Sequence, residues 1–394
     1  MIGLAKWHLA ADRPGRPGVV NVCQAHDPAL AGLYRGITAF SAGLEAPILS
    51  VEPTRRLYGP CAGEVFRLEA TGGFSTCTAQ YVNRSADSAA EPLLRDARLL
   101  IVHSLFRGHV EFGMRWAEQR DRDYWVVPHG CWDPWGMAHH GLRKRLWMTA
   151  VGQRYVANAN CVVFGSRREA EKAVHWTRGA RTAVVHFPVH LPDLARKDAA
   201  KESFRQKLGL ADGMRVLISV GRLHSMKRPH AILQAFLQAG TENLALVFVG
   251  GDDDVTRADL ARAVPPAVAE RIRFTGVLAG EALEEAFLGA DGFVSLSYRE
   301  NFGFSLAEAC AYGLPVIVTP GHDLVHEMPT VQGAASGVGW CLPDMTQAAA
   351  SEAFQAFAAV SDKQLRWFGQ TARQWAAEEL HPDDFRLRLL ALMA

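Results

Sequence analysis

At 394 residues the chain is too long for one ordinary core, and two domains of about 150–200 residues are expected. Hydrophobic residues make up 49% and charged residues 21%, the balance of a globular protein that folds in water. With 42 Lys and Arg against 41 Asp and Glu, no bulk charge points to nucleic acid, so specificity must come from local sites.

In chain order, the opening MIGLAKWHLAADRPGRPG is broken by charges and prolines too early for a signal-peptide core. Val19–Cys23 reads as a first strand, followed by a helix from about Leu30 to Leu44 and a strand at Pro47–Val51. Leu99–His103, Trp125–Pro128, Cys161–Phe164 and Thr182–Phe187 are further apolar runs with the character of buried strands. Pro188–Lys201 is polar and proline-containing, and it is placed as the inter-domain linker. In the second half Arg215–Gly221, Leu244–Gly250, Arg271–Gly276, Gly292–Leu296 and Pro315–Thr319 read as strands. Helices at Pro229–Ala239, Thr256–Val264, Gly280–Leu288 and Ser305–Tyr312 alternate with them. The tail from Lys363 to Ala394 reads as amphipathic helix interrupted near His381–Pro382.

This alternation predicts an α/β protein with two open parallel sheets covered on both faces, with a single eight-fold barrel as the structural rival. The expected domains are 1–190 and 191–370, with 371–394 packing back on the first. The seven cysteines are scattered without a close pair, which argues against zinc or a disulfide framework and for a reducing, cytoplasmic setting. No stretch approaches the roughly 20 apolar residues of a membrane span, so a membrane would be met from the side.

The most informative segment is Glu300–Pro315 (ENFGFSLAEACAYGLP), directly after a strand, where open α/β sheets bind ligands. Gly303 lets backbone N–H groups come close to a ligand, and a helix starting at Ser305 offers partial positive charge to a phosphate. Glu300 and Glu308 bracket the turn. Ser305 and Glu308 also fit a capping box, which would give Glu308 a purely local role. In Val220–Pro229 (VGRLHSMKRP), Arg222 and Lys227 are two cations on one loop that can hold a diphosphate, or simply be solvated. Val247–Asp254 (VFVGGDDD) ends a strand at Gly250 and three acids; it borders a nucleotide or faces water, and is weak evidence for a metal. In the first half, His129 ends a strand in VPHGCWDPW, with Trp132 and Trp135 as either core or sugar-stacking faces. Arg143, Lys144 and Arg145 with Trp147 form a basic, aromatic stretch that suits either an anionic membrane surface or a solvated helix face.

Together these residues resemble the retaining family 4 glycosyltransferases of the GT-B fold. Glu300 to Glu308 is similar to that family's E-x7-E motif. Gly221, Arg222 and Lys227 match its G-R-x-x-x-x-K element, and Arg273–Gly276 and Gly313–Val316 follow in the expected order. Pro128-His129-Gly130 with Asp133-Pro134-Trp135 resembles the form seen in bacterial exopolysaccharide and O-antigen transferases. The resemblance implies two Rossmann-like domains facing across a cleft. It also implies transfer of a sugar from a UDP- or GDP-linked donor to a hydroxyl of a saccharide or lipid-linked saccharide, in cell-surface polysaccharide synthesis.

By position, Arg222 and Lys227 would hold the donor diphosphate and Glu308 the ribose. Glu300 would face the transferred sugar with the amides of Asn301, Phe302 and Gly303. The amides of Ser305 and Leu306 would cap the distal phosphate. Arg273 would border the base with Gly221 and Gly250 nearby, and His129 would approach the sugar. The chain departs from the family in Asp27–Gly36, where only Gly32 and Gly36 can serve as the glycine-rich loop. Two cations plus a helix N-terminus can replace a divalent ion, so neither metal nor cofactor is expected. An epimerase or phosphorylase on the same fold, or a non-catalytic nucleotide-sugar-binding protein, are the alternatives. A nicotinamide dehydrogenase is disfavoured because no G-x-G-x-x-G opens a helix.

Overall fold

The computed structural model describes residues 18–23, 32–52, 65–69, 90–106, 108–138, 141–211, 213–329 and 337–394. They divide into two compact units, one running up to Pro188 and resumed at Pro382–Ala394, the other spanning Val189–His381.

In the first unit the strands are β1 (Val19–Cys23), β2 (Ile48–Glu52), β3 (Val65–Glu69), β4 (Leu99–His103), β5 (Asp123–Val127), β6 (Cys161–Phe164) and β7 (Thr182–Val184). They form one sheet in the order β3-β2-β1-β4-β5-β6-β7, parallel throughout. The helices are α1 (Gly32–Leu44), α2 (Ala90–Asp96), α3 (Gly108–Gln119), α4 (Pro134–Ala138), α5 (Gly141–Trp147), α6 (Gln153–Asn158) and α7 (Arg167–Ala173), with a π-helical turn at Met148–Gly152. Strands β1 and β4 are buried at every position, which is why they read as unbroken apolar runs. The order reverses direction at β1/β4, the switch point where doubly wound sheets open a ligand crevice.

The second unit opens with α8 (Lys197–Leu208) and then runs β8 (Arg215–Val220), α9 (Pro229–Ala239), β9 (Leu244–Val249), α10 (Arg257–Arg262), β10 (Ile272–Gly276), α11 (Glu281–Gly289) and β11 (Gly292–Ser295). It continues α12 (Phe304–Ala311), β12 (Val316–Val318), β13 (Gly339–Cys341), α13 (Gln347–Ala359) and α14 (Asp362–Glu379). Its parallel sheet has the order β10-β9-β8-β11-β12-β13, again with a reversal, at β8/β11. The architecture is therefore two Rossmann-like units rather than one barrel. None of the described helices is long and apolar enough to cross a membrane.

Three expectations need correction. The polar stretch read as linker contains a 3-10 turn at Leu194–Arg196, capped by Asp193 Oδ1 at 2.9 Å, and the first turns of α8. Helix α8 buries only Phe204, which packs against Gly289 where a side chain would collide, so its sequence is nearly all polar. The tail does not change units at 371. Leu365, Phe368, Ala372, Trp375 and Ala376 of α14 are buried in the second unit, and Arg373 donates to Ala311 O at 2.5 Å. Only α15 (Pro382–Leu392) belongs to the first unit, where Phe385 packs on Phe40 of α1 and Arg386 pairs with Glu45 at 2.7 Å. The strands β3 and β13 were unread; β13 is three residues long.

Candidate functional site

The site in the second unit is built from loops leaving the carboxyl ends of β8, β9, β10 and β11. The first three run side by side: Gly221 N–H donates to Val249 O at 2.9 Å, Leu223 N–H to Gly251 O at 2.8 Å, and Gly250 N–H to Gly276 O at 2.9 Å. Gly221 and Gly250 have φ of 152° and 156°. A Cβ on Gly250 would lie 1.8 Å from Gly221 O, so only glycine lets the two loops touch. Gly250 thus has a packing reason for its identity.

After Gly221 the chain turns through one 3-10 turn, Ser225–Lys227, with His224 Nδ1 accepting from Met226 N–H at 3.0 Å. Arg228 then takes a left-handed φ of 55° before Pro229 opens α9. Its guanidinium lies 4.5 Å over the Tyr298 ring and donates to Met345 O at 3.0 Å, while Tyr298 N–H donates to Met226 O at 2.9 Å. These contacts tie the β8 loop to the β11 loop and swing Lys227 inward. Its end passes 3.7 Å from where a Gly221 Cβ would stand, and its ammonium pairs with the carboxylate of Glu300.

Glu300 is itself fixed by backbone on both sides. Its N–H donates to Gly321 O at 2.9 Å, and its carbonyl accepts from Asp323 N–H at 3.0 Å. Burial alone would raise the Glu300 carboxyl, but Lys227 and the neighbouring His322 outweigh it and hold it below the ordinary carboxylate value. His322 is completely buried, donates or accepts at Ser295 Oγ through Nε2 at 2.9 Å, and is pushed down to about 4 by that burial. Its Nδ1 sits 3.0 Å from the position a Gly303 Cβ would take, so Gly303, at φ 78°, is again a close-approach glycine. Arg228, Gly321 and His322 were not found from sequence; Arg228, preceding a helix-opening proline beside Lys227, carried the one usable signal.

Gly303 is the N-cap of α12, with no side-chain capping bond, and the helix begins at Phe304. The capping-box reading of Ser305 and Glu308 is therefore wrong: Ser305 already lies within the helix, and Glu308 stands beyond its first turn. Leu306 N–H is also corrected, since it donates to Gly303 O at 2.9 Å within the helix. Ser305 N–H precedes that first bond and remains directed at the helix N-terminus, where an anion is favoured. Phe302 is buried against Phe304, ring to ring at 4.9 Å, so it contributes backbone only, while Asn301 beside it is half-buried.

Arg222, Lys227, Gly221, Phe248 and Ser295 line one small pocket of about 10 Å³, room for about one water. The guanidinium of Arg222 is more than half exposed and pairs with Asp253. Asp253, Asp254 and His224 bring ligand atoms within 4.8 Å of one another, but each already has a protein partner: Asp254 accepts from Ser225 N–H at 2.7 Å. Arg273 is not near the base position. Its guanidinium donates to the carbonyls of Leu208 (2.6 Å), Ala269 (3.1 Å) and Gly209 (3.3 Å), at the amino-terminal edge of the sheet, and clamps the end of α8.

In the first unit, His129 ends β5 in a left-handed conformation, φ 49°, followed by Gly130 at φ 77°. The loop is held by buried Glu169, which accepts from Gly130 N–H at 2.6 Å and from Gly165 N–H at 2.9 Å. The His129 ring stacks on Phe187 with centroids 5.5 Å apart, and burial pushes its pKa down to about 3. Trp132 is core, packed towards Phe164, whereas Trp135 is 49% exposed. Of the expected glycine-rich loop, residues 27–31 lie outside those described; Gly32 begins α1, and Gly36 meets the His129 ring.

Residues 200–375 match the model of the glycosyl transferases group 1 family. That match lies within the second unit and takes in less than half of the chain. The D-inositol 3-phosphate glycosyltransferase of Stackebrandtia nassauensis is 29% identical over 226 residues, covering 49% of this chain and 51% of the relative. The chain thus spans about half the length of the curated relatives it matches. Anabaena HepE, solved with UDP and glucose, superposes with a TM-score of 0.68 at 14% identity, covering 96% of this chain and 99% of HepE. Sucrose-phosphate synthase from Thermosynechococcus elongatus gives 0.69 at 19% identity, over 96% and 98%. The fold is that of the GT-B glycosyltransferases.

The depressed Glu300 carboxyl stabilises the fold fully above the ordinary glutamate value, and this contribution is lost as pH falls through the depressed one. Urea unfolding from about pH 5 downward is expected to show a steeper loss of stability for the native chain than for Glu300→Gln. Parallel curves would mean the pair contributes nothing.

Proposed function

We propose that this protein is a retaining, metal-independent glycosyltransferase that moves a sugar from a UDP- or GDP-linked donor to a hydroxyl of a saccharide or lipid-linked saccharide. The observation that carries this reading is Lys227: an ammonium largely shielded from water, beside Gly221 and held by Glu300, on the wall of a small pocket at the carboxyl edge of the sheet. The chemical problem is loss of a sugar–phosphate bond, with positive charge growing on the sugar and negative charge on the departing diphosphate. A preorganised cationic cradle stabilises that leaving group without having to reorganise. Lys227, Arg222 and the N-terminus of α12 supply it, so a divalent ion has no charge left to neutralise.

In this reading the Lys227–Glu300 pair stands in for the donor. When the diphosphate enters, Lys227 passes to phosphate oxygens and Glu300 is freed for hydroxyls of the sugar. Arg222 makes the same exchange with Asp253. Glu308 serves the ribose. The UDP in the HepE structure and the inositol phosphate named for the curated relatives support a nucleotide-sugar donor and a hydroxyl acceptor. Retention of configuration and a role in cell-surface polysaccharide synthesis rest on the motif resemblance, and cytoplasmic placement on the scattered cysteines.

A membrane-bound acceptor fits a second feature. On α4 and α5, Trp135 and then Leu142 (76%) and Leu146 (61%) are exposed apolar side chains. Arg143 and Arg145 are exposed beside them, while Trp147 is buried and Lys144 is engaged with Gly136 O at 2.5 Å. Apolar side chains interleaved with cations suit the interface of an anionic bilayer.

Lys227→Ala and Arg222→Ala are each expected to lower turnover at least about tenfold, the value of one charge-assisted hydrogen bond, with the fold intact. Product analysis with water, phosphate and sugar acceptors checks the reaction class. Unchanged kinetics in both variants would remove the diphosphate assignment. In co-sedimentation, binding to vesicles is expected to rise with anionic lipid content and to drop in Leu142→Glu/Leu146→Glu; binding indifferent to both would remove the membrane surface.

A further inference from the structure

Behind His129 lies a chain of polar side chains inside the first unit's core. His129 Nε2 lies 2.9 Å from His103 Nδ1, and His103 Nε2 lies 3.0 Å from Asn21 Oδ1. Asn21 and His103 are completely buried, at the adjacent strands β1 and β4. The two imidazole centroids are 5.2 Å apart with an interplanar angle of 28°. That separation is close to the N···N distance plus two ring radii, so the rings meet edge to edge along a straight hydrogen bond.

The direction of each bond follows from what each atom can do. The Asn21 amide nitrogen faces two carbonyl oxygens, Ala46 O at 3.5 Å and Pro47 O at 3.4 Å, which can only accept. Its oxygen therefore faces His103 and must receive a hydrogen, so His103 Nε2 carries one. A second proton would make His103 a cation at full burial, which is costly. Neutral His103 has a bare Nδ1, which accepts from His129, so the His129 hydrogen is on Nε2. Burial keeps His129 neutral as well. Its remaining nitrogen, Nδ1, then carries only a lone pair. That edge of the ring lies over Gly36 in α1, where a Cβ would stand 2.7 Å from Cε1 and 3.1 Å from Nδ1. A side chain there would displace or cover it.

We propose that Asn21 and His103 are positioning residues that lock His129 in the Nε2–H tautomer, so that the atom it presents to substrate is a hydrogen-bond acceptor, selective for a sugar hydroxyl over a phosphate oxygen. The identity of that partner rests on the sugar-transfer reading; the tautomer does not. The oxygens of a nucleotide-sugar diphosphate, esterified at both ends, carry no hydrogen at neutral pH and would meet a lone pair with a lone pair. The first unit thereby contributes a contact that discriminates against anions, complementary in kind to the cationic cradle of the second.

The test is long-range ¹H–¹⁵N correlation on the full chain with ¹⁵N-labelled histidine and no ligand, His129 being assigned by its loss in His129→Gln. The expected spectrum shows His129 protonated at Nε2 and bare at Nδ1, and Asn21→Leu and His103→Phe are expected to shift it towards a mixture of tautomers. A native His129 protonated at Nδ1 overturns the proposal, even if neither variant folds. A tautomer unchanged in both folded variants overturns it too. The predicted tautomer in a protein that transfers no sugar to any acceptor leaves the relay standing and defeats the sugar-transfer reading instead.

Discussion

Lys227 meets Glu300 through three features of the surrounding loops. The αL turn at Arg228 reverses the chain, the Arg228–Tyr298 stack docks one loop on the other, and Gly321 lets backbone crowd behind Glu300. The Gly321 position is tight enough that a Cβ would lie 2.5 Å from both Ser297 O and Tyr298 O. None of these residues needs to touch a ligand. Each sets the position of the ammonium proposed to do so, and an electrostatic cradle works only if it is rigid before the charge arrives. The ion pair also solves the problem of the empty state, because an unpaired cation at that depth would lower the stability of the fold.

The first unit is organised on a related principle. Buried Glu169 is spent on two backbone N–H groups, and Asn21 and His103 on orienting one ring. Leaving such groups unsatisfied would cost about 1–3 kcal/mol each. What they hold in place is the left-handed His129 and the glycine after it.

Much of this was legible in the sequence because the physics is local. Doubly covered strands such as LLIVH and LALVFV must be apolar runs, and their alternation with amphipathic stretches gives the parallel sheets. Arg222, Lys227 and Glu300 stood out because they sit in strand-end loops rich in glycine and charge, although sequence alone left Arg222 and Lys227 equally open to being solvated loop charges. What stayed hidden is long-range or depends on atoms rather than residue types. Arg273 has the right residue type in a matching motif, yet its guanidinium turns to the opposite edge of the sheet and caps α8. Ser305 and Glu308 have capping-box spacing, but Gly303 starts the helix earlier. Arg143–Arg145 looked uniform, while the structure withdraws Lys144 to Gly136 and leaves the flanking leucines exposed. Asn21 and His103 lie 82 positions apart and meet only through adjacency of β1 and β4.

The central claim is that Lys227 is placed for a diphosphate. The direct measurement is a calorimetric cycle comparing UDP and GDP with their nucleosides, on the native chain and on Lys227→Ala. At least one diphosphate should bind the native chain about tenfold or more tightly than its nucleoside, and that advantage should largely vanish in the variant. If neither diphosphate binds, or the variant keeps the full advantage, Lys227 does not hold a diphosphate.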